Sequence, residues 1–137
     1  MSAAPELSRP PLTAATHFAV EIDPAVWQIV MLDQRKLPRE VVYYRYDKPD
    51  QIVSAIRDMV VRGAPAIGIS AAYALALMAH LERGDAKAFL LAHGVASRHL
   101  GEARPTAVNL AWAIARMSRR AADVAHASPE ERERAML

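Results

Sequence analysis

Residues 64–79 carry no charged side chain, in a chain where 23% of residues are Asp, Glu, Lys or Arg. Such a run must be covered, either by lipid or by the rest of the chain. It is short for a helix that crosses a bilayer, and Gly68 and Ser70 interrupt it, so a buried core helix is expected over about 65–82. Its alanines (Ala66, Ala71, Ala72, Ala74, Ala76, Ala79) let neighbouring backbones come close. Tyr73, Leu75, Leu77 and Met78 fill the wider gaps. The remaining elements are expected to pack around this helix.

The entry to that helix is Arg62-Gly63-Ala64-Pro65-Ala66-Ile67-Gly68. Before it, Ile52, Val53, Ile56, Met59 and Val60 follow the spacing of one buried helix face, which predicts a helix over 51–61. Gly63 fits the position just past that helix, where glycine enters the left-handed region without strain. Pro65 fits the first turn of the next helix, where a missing N–H costs nothing. A helix start directs unpaired N–H groups and the positive end of its dipole outward, which attracts anions and phosphate in particular. Arg62 would add a planar charged fork suited to phosphate oxygens. The plainer alternative is a tight helix–helix turn in which Arg62 only caps carbonyls of the preceding helix.

A second arginine precedes a second helix start. Pro105 disfavours helix at Arg104 and can open a helix that buries Val108, Leu110, Ala111, Trp112, Ile114, Ala115 and Met117. Arg104 and Arg62 could converge on one phosphate; alternatively, Arg104 pairs with Glu102. Between the two, Gly84 stops the core helix and Asp85 caps a third helix carrying Phe89, Leu90, Val95 and Leu100, with its end at Gly101.

Upstream, residues 1–16 are rich in Ala, Pro and Ser, have no clear period, and read as a flexible arm. Residues 27–32 and 40–46 read as two strands joined by a longer hairpin loop. Asp33 and Arg35 in that loop are expected to be solvated or to pin the turn. Asp47 can cap the first helix, with Pro49 just inside it. At the other end, Ser128-Pro129-Glu130-Glu131 is a capping-box pattern that starts a helix. About two turns follow, which suggests that 128–137 is the beginning of a longer element; the alternative is a short amphipathic tail. The fold class expected is α+β: a mainly helical domain with a small antiparallel hairpin or sheet at its start.

Composition narrows the function. With no cysteine there is no disulfide, thiolate metal site or cysteine nucleophile in this chain. The net charge is only +2 and the arginines are dispersed, which argues against a nucleic-acid partner. The opening residues lack a basic region leading into an apolar one, so no signal peptide is expected, and no membrane segment either. His17, His80, His93, His99 and His126 offer no helical pair of metal ligands. No Walker-type loop and no Gly-x-Gly-x-x-Gly occurs.

The run 56–68, ending in Arg62-Gly63-Ala64-Pro65-Ala66-Ile67-Gly68, resembles the signature of the methylthioribose-1-phosphate isomerases, a family related to the regulatory subunits of translation initiation factor 2B. Leu32-Asp33-Gln34 followed by Leu37-Pro38, and Ala103-Arg104-Pro105-Thr106-Ala107-Val108-Asn109-Leu110, agree with it in the same order. The resemblance runs from about Trp27 to Met117. It implies that 17–127 is the family's N-terminal domain and that a Rossmann-like domain follows in the intact protein. It also implies an aldose–ketose isomerase of methionine salvage, converting 5-methylthioribose 1-phosphate to 5-methylthioribulose 1-phosphate, cytoplasmic and homodimeric at full length. The family's catalytic cysteine and aspartate lie in its C-terminal domain, so no catalytic residue is expected in this chain and the chain alone should not turn over substrate. Substrate-binding residues carried over by the motif are Arg62, Gly63, Ala64 and, separately, Arg104, and the resemblance implies no metal or organic cofactor. A non-catalytic regulatory subunit and an isomerase of another pentose 1-phosphate stay open as alternatives.

Overall fold

Three short antiparallel strands open the part of the chain that the computed structural model describes, residues 19–137. The arm expected at 1–16 lies outside those residues, as does His17. The strands are β1 (Val20–Asp23), β2 (Gln28–Leu32) and β3 (Tyr43–Tyr46), paired in the order β1-β2-β3. Val20 lies opposite Met31, and Ile29 opposite Tyr46. Ile29 and Met31 join the main core, while Val30 and Leu32 turn to the other face and pack with Tyr43 and Leu37. Because both faces of β2 are covered, its sequence is a continuous apolar run rather than an alternation. Strand β1 is an addition to the expected pair, and Trp27 sits in the β1–β2 turn with φ 51° rather than in a strand. Four residues alternating Val-Glu-Ile-Asp make too short a pattern to stand out; pairing along β2 is what stabilises them.

Asp33 pins the β2–β3 connection. Its buried carboxylate accepts from the Arg35 backbone N–H (3.0 Å), from Arg35 Nε and Nη2 (3.0 and 2.9 Å), and from the Tyr44 hydroxyl (2.9 Å). Burial alone would raise this carboxyl, but the donors from Arg35 and Tyr44 outweigh it and hold the group below the usual carboxylate range. Of the two roles expected for Asp33, the pinning role is the one observed.

Among the described residues five helices follow: α1 (Pro49–Arg57), α2 (Ala64–Leu81), α3 (Ala86–Ala103), α4 (Val108–Val124) and α5 (Pro129–Met136). Helix α2 is the expected core helix, and it packs against the other four and against β1 and β2. It has the length and mean hydropathy (1.5) of a membrane span, but protein covers most of it. Leu75 and Leu77 are fully buried, and each contributes about 1.5–3 kcal/mol. Gly68 lies where α2 and α4 nearly touch; a Cβ there would stand 3.2 Å from the Asn109 carbonyl oxygen.

Several expected boundaries move. The N-cap of α1 is Lys48, not Asp47, and the Gln51 side chain accepts from the backbone N–H groups of both. Helix α1 ends at Arg57 rather than near Val61. Met59 takes the left-handed position (φ 64°), with Val60 N–H bonded to Ala55 C=O (3.0 Å) and Met59 N–H to Ile56 C=O (3.3 Å). This is a Schellman closure made by a methionine. It turns the chain so that Val60 and Val61 are buried (5% and 0% exposed), which offsets the strain at Met59. Gly63 therefore does not end α1; it is the N-cap of α2 at φ 94°, ψ 131°. Helix α3 runs past Gly101 to Ala103. Helix α4 starts at Val108 rather than Pro105, because 104–107 form a tight turn closed by Ala107 N–H to Arg104 C=O (3.0 Å).

The last helix is docked to its neighbours. Ser128 accepts from Glu131 N–H (3.2 Å), as the capping pattern expects. Arg132, 1% exposed, lies over the Phe89 ring at 4.6 Å and donates to the carbonyls of Gly84 and Ala125. His80 stacks on Trp27 and meets Glu133 at 2.7 Å, while Arg83 reaches both Glu130 and Glu133. A buried arginine serving helix docking has no periodic signature in the sequence.

Candidate functional site

Two helix starts come together on one side of the molecule. The N-terminal residues of α2 (Ala64, Pro65, Gly68) and of α4 (Val108, Asn109) line the same groove, of about 620 Å³. Neither helix has a side-chain cap on its first-turn N–H groups, and neither has an acidic residue in its first turn. Most helix starts are closed by Ser, Thr, Asp or Asn; here Gly63 and Ala107 occupy the cap positions and offer no side-chain oxygen. The positive ends of two helix dipoles therefore stand open beside each other, an arrangement that favours an anion.

An arginine precedes each start. Arg62, one residue before Gly63, is exposed and forms no ion pair among the described residues. Arg104 begins the turn into α4; it is half-buried, and its Nη1 is shielded from solvent with no hydrogen-bond acceptor among the described residues. The pairing of Arg104 with Glu102 considered from sequence is not formed. A shielded guanidinium nitrogen without an acceptor is costly. Of the four residues singled out by sequence, Ala64 lines the groove and Gly63 sets the backbone at its edge. The side chains of Arg62 and Arg104 flank the helix starts without lining the groove itself.

The rest of the groove is apolar. Ile69 and Ala72 of α2 face Trp112, Ala113, Arg116 and Met117 of α4. Ile69, Val108 and Trp112 are 46%, 78% and 59% exposed. Helix α4 thus buries less than its composition suggests: Leu110, Ala113 and Ala121 are its buried residues, and Ala111, Trp112 and Ala115 are exposed. Arg116 lies over the Trp112 ring at 5.6 Å. Sequence reasoning missed Asn109, Trp112 and Arg116 as site residues. The Trp112–Arg116 pair, four residues apart on one helix face, was the available signal.

Other polar clusters lack the geometry of a site. His93 is buried between α3 and α4, with Nε2 3.0 Å from the Ser118 hydroxyl, and burial pushes its pKa down. His99 stands 3.9 Å from Asp50. No group of three or more metal-ligating side chains occurs among the described residues.

The profile of the initiation factor 2 subunit family matches residues 60–137. The methylthioribose-1-phosphate isomerase of an Anaeromyxobacter species (strain Fw109-5) is 56% identical over 90 residues, covering 66% of this chain and 25% of that protein. Among solved structures, 5-methylthioribose 1-phosphate isomerase from Pyrococcus horikoshii OT3 superposes with a TM-score of 0.78 at 34% identity, over 86% of this chain and 33% of that one. Subunit delta of translation initiation factor eIF-2B from A. fulgidus superposes with a TM-score of 0.77 at 30% identity, over 86% and 34%. The chain spans about a quarter to a third of the length of the relatives it matches.

Proposed function

The chain belongs to the initiation factor 2 subunit family, and from that premise we propose that it is the substrate-gripping N-terminal part of a methylthioribose-1-phosphate isomerase. In this reading residues 17–127 form the N-terminal domain and 128–137 lead into a further domain. The observation that carries it is the pair of uncapped helix starts at one groove, each preceded by an arginine whose side chain has no partner among the described residues. A 1-phosphate suits that arrangement: the open N–H groups of α2 and α4 donate to its oxygens, and Arg62 and Arg104 neutralise its charge. Gly63 and Ala64 let the phosphate approach the backbone closely.

The reaction moves hydrogen between C1 and C2 of a sugar whose 1-phosphate blocks simple ring opening. It needs acid–base groups at the anomeric centre, and the groove offers none: its polar side chains are Asn109 and Arg116. This chain's share is binding, orientation and exclusion of water from the sugar. The acid and base belong to the remainder of the full-length protein, which functions as a cytoplasmic homodimer without a cofactor.

A regulatory subunit without turnover is the competing reading, and the A. fulgidus structure supports it at nearly the same TM-score. Identity near one half to relatives named as the isomerase favours the enzyme. The test is to express the complete reading frame and supply 5-methylthioribose 1-phosphate. Formation of the ketose phosphate supports the enzyme, and its absence in a folded, phosphate-binding protein supports the regulatory subunit.

A further inference from the structure

Helix α3 has two faces. Phe89, His93, Ala96 and Leu100 are buried against its neighbours. On the other side Lys87, Leu91, Gly94, Val95, Arg98 and Glu102 recur at three- and four-residue intervals and form one exposed stripe. Its middle is apolar: Leu91 and Val95 are 68% and 41% exposed, and with Leu81 they edge a groove of about 590 Å³. Three features of the stripe are unfavourable for an isolated helix. Gly94 sits mid-helix with ordinary helical geometry, and a Cβ there meets nothing within 4 Å, so nothing inside the chain explains a glycine. Lys87 lies in the first turn and Glu102 in the last, each at the end of the helix dipole that repels it. Neither forms an ion pair among the described residues.

We propose that this face of α3 is a docking surface for a second copy of the chain, the two α3 helices meeting antiparallel about a two-fold axis beside Gly94 and Val95. That arrangement answers all three features at once. Val95 fills the space over the copy's Gly94, where the missing side chain lets the two backbones approach. Leu91 lies along the aliphatic stem of the copy's Arg98. Lys87 and Glu102 are fifteen residues apart, about 22 Å along the helix, and the two-fold axis brings each to its opposite on the copy. The contact is self-complementary, so every pairing occurs twice. A parallel arrangement would set Lys87 against Lys87 and Glu102 against Glu102. The surface is separate from the groove between α2 and α4, and the inference does not depend on the sugar-phosphate reading.

The test uses the full-length protein under mild oxidation. The 137 residues contain no cysteine, so Val95→Cys is compared with the wild type and with Arg119→Cys, exposed on α4. A thiol beside the axis faces its own copy, and Val95→Cys should form a covalent dimer at least about tenfold faster than Arg119→Cys. In the Val95→Cys background, Lys87→Glu or Glu102→Lys alone should slow the cross-link at least about fivefold, and the two together should restore it, because the reversed charges again face opposites. Gly94→Leu should abolish it while circular dichroism shows the helix kept, since leucine is the better helix former. Cross-linking no faster than at Arg119→Cys overturns the inference. If the Val95→Cys thiol is then also protected from a maleimide in the monomer, the rest of the same chain covers the stripe instead. Single reversals without effect, or a double reversal that fails to recover the rate, overturn it as well. No step reads turnover, so the interface stands or falls apart from the phosphate site.

Discussion

Gly63 and Gly94 make a paired experiment on why this chain needs glycine at the start of its core helix. A Cβ built at either position meets nothing within 4 Å, so crowding predicts the same tolerance for both. Their backbones differ. Gly63 is at φ 94°, ψ 131°, a conformation that L-residues rarely adopt, whereas Gly94 lies inside α3 with ordinary helical geometry. Gly63→Ala should cost about 1–3 kcal/mol of backbone strain, less about 0.4–1 kcal/mol recovered from a stiffer unfolded chain. The net is a loss of roughly 1–2 kcal/mol. Gly94→Ala should gain up to about 1 kcal/mol, the difference in helix propensity. Urea unfolding of the 137-residue chain, followed by circular dichroism at unchanged slope, measures both. Shifts of the same sign, or a neutral Gly63→Ala, would refute the assignment of Gly63 as an obligatory positive-φ cap.

In the full-length protein, Arg62→Ala and Arg104→Ala should each weaken phosphate-ester affinity by about 1.5–3 kcal/mol. If both grip one phosphate the double variant should lose less than the sum, and strictly additive losses in a titration would separate their roles. Asp33→Asn should destabilise the β2–β3 connection by about 1–3 kcal/mol, since the buried carboxylate loses charged hydrogen bonds. Its folded pKa is depressed, so its contribution is complete above the unfolded value near 4 and is lost as pH falls through the folded value. Unfolding at pH 7 and at pH 3 should show the wild type and variant converging in acid. His93 has a folded pKa below its unfolded value of about 6.5, so the unfolded chain binds its proton first and stability falls as pH drops below that value. In His93→Gln the stability lost between pH 7 and pH 5 should be smaller, and an unchanged slope would exclude His93 as its source.

The sequence carried the fold class through local rules. The charge-free run became α2, Asp85 caps α3 through Ala88 N–H, and Ser128 caps α5 through Glu131 N–H. Such signals are short-range: a cap, a period or a proline acts within one helical turn. The boundaries that moved were those where a distant partner outweighed a local preference. Met59 accepts a left-handed backbone because Val60 and Val61 gain burial, and β1 exists because β2 offers an edge. The candidate site divided in the same way. Arg62, Gly63, Ala64 and Arg104 were marked by two arginines placed before helix starts, whereas Asn109, Trp112 and Arg116 meet at one groove only through the packing of α2 against α4.

The sequence by itself determined that this chain has one buried helix, entered through a glycine and a proline with an arginine in front, because backbone conformation and solvation act residue by residue. Only the tertiary structure decided that the starts of α2 and α4 open onto one groove, and that α4 turns Trp112 and Arg116 into it rather than into the core. Helical periodicity places a side chain on a face, but which face is covered depends on how closely α2 approaches. Gly68 against the Asn109 carbonyl sets that approach through space, across forty-one positions of sequence.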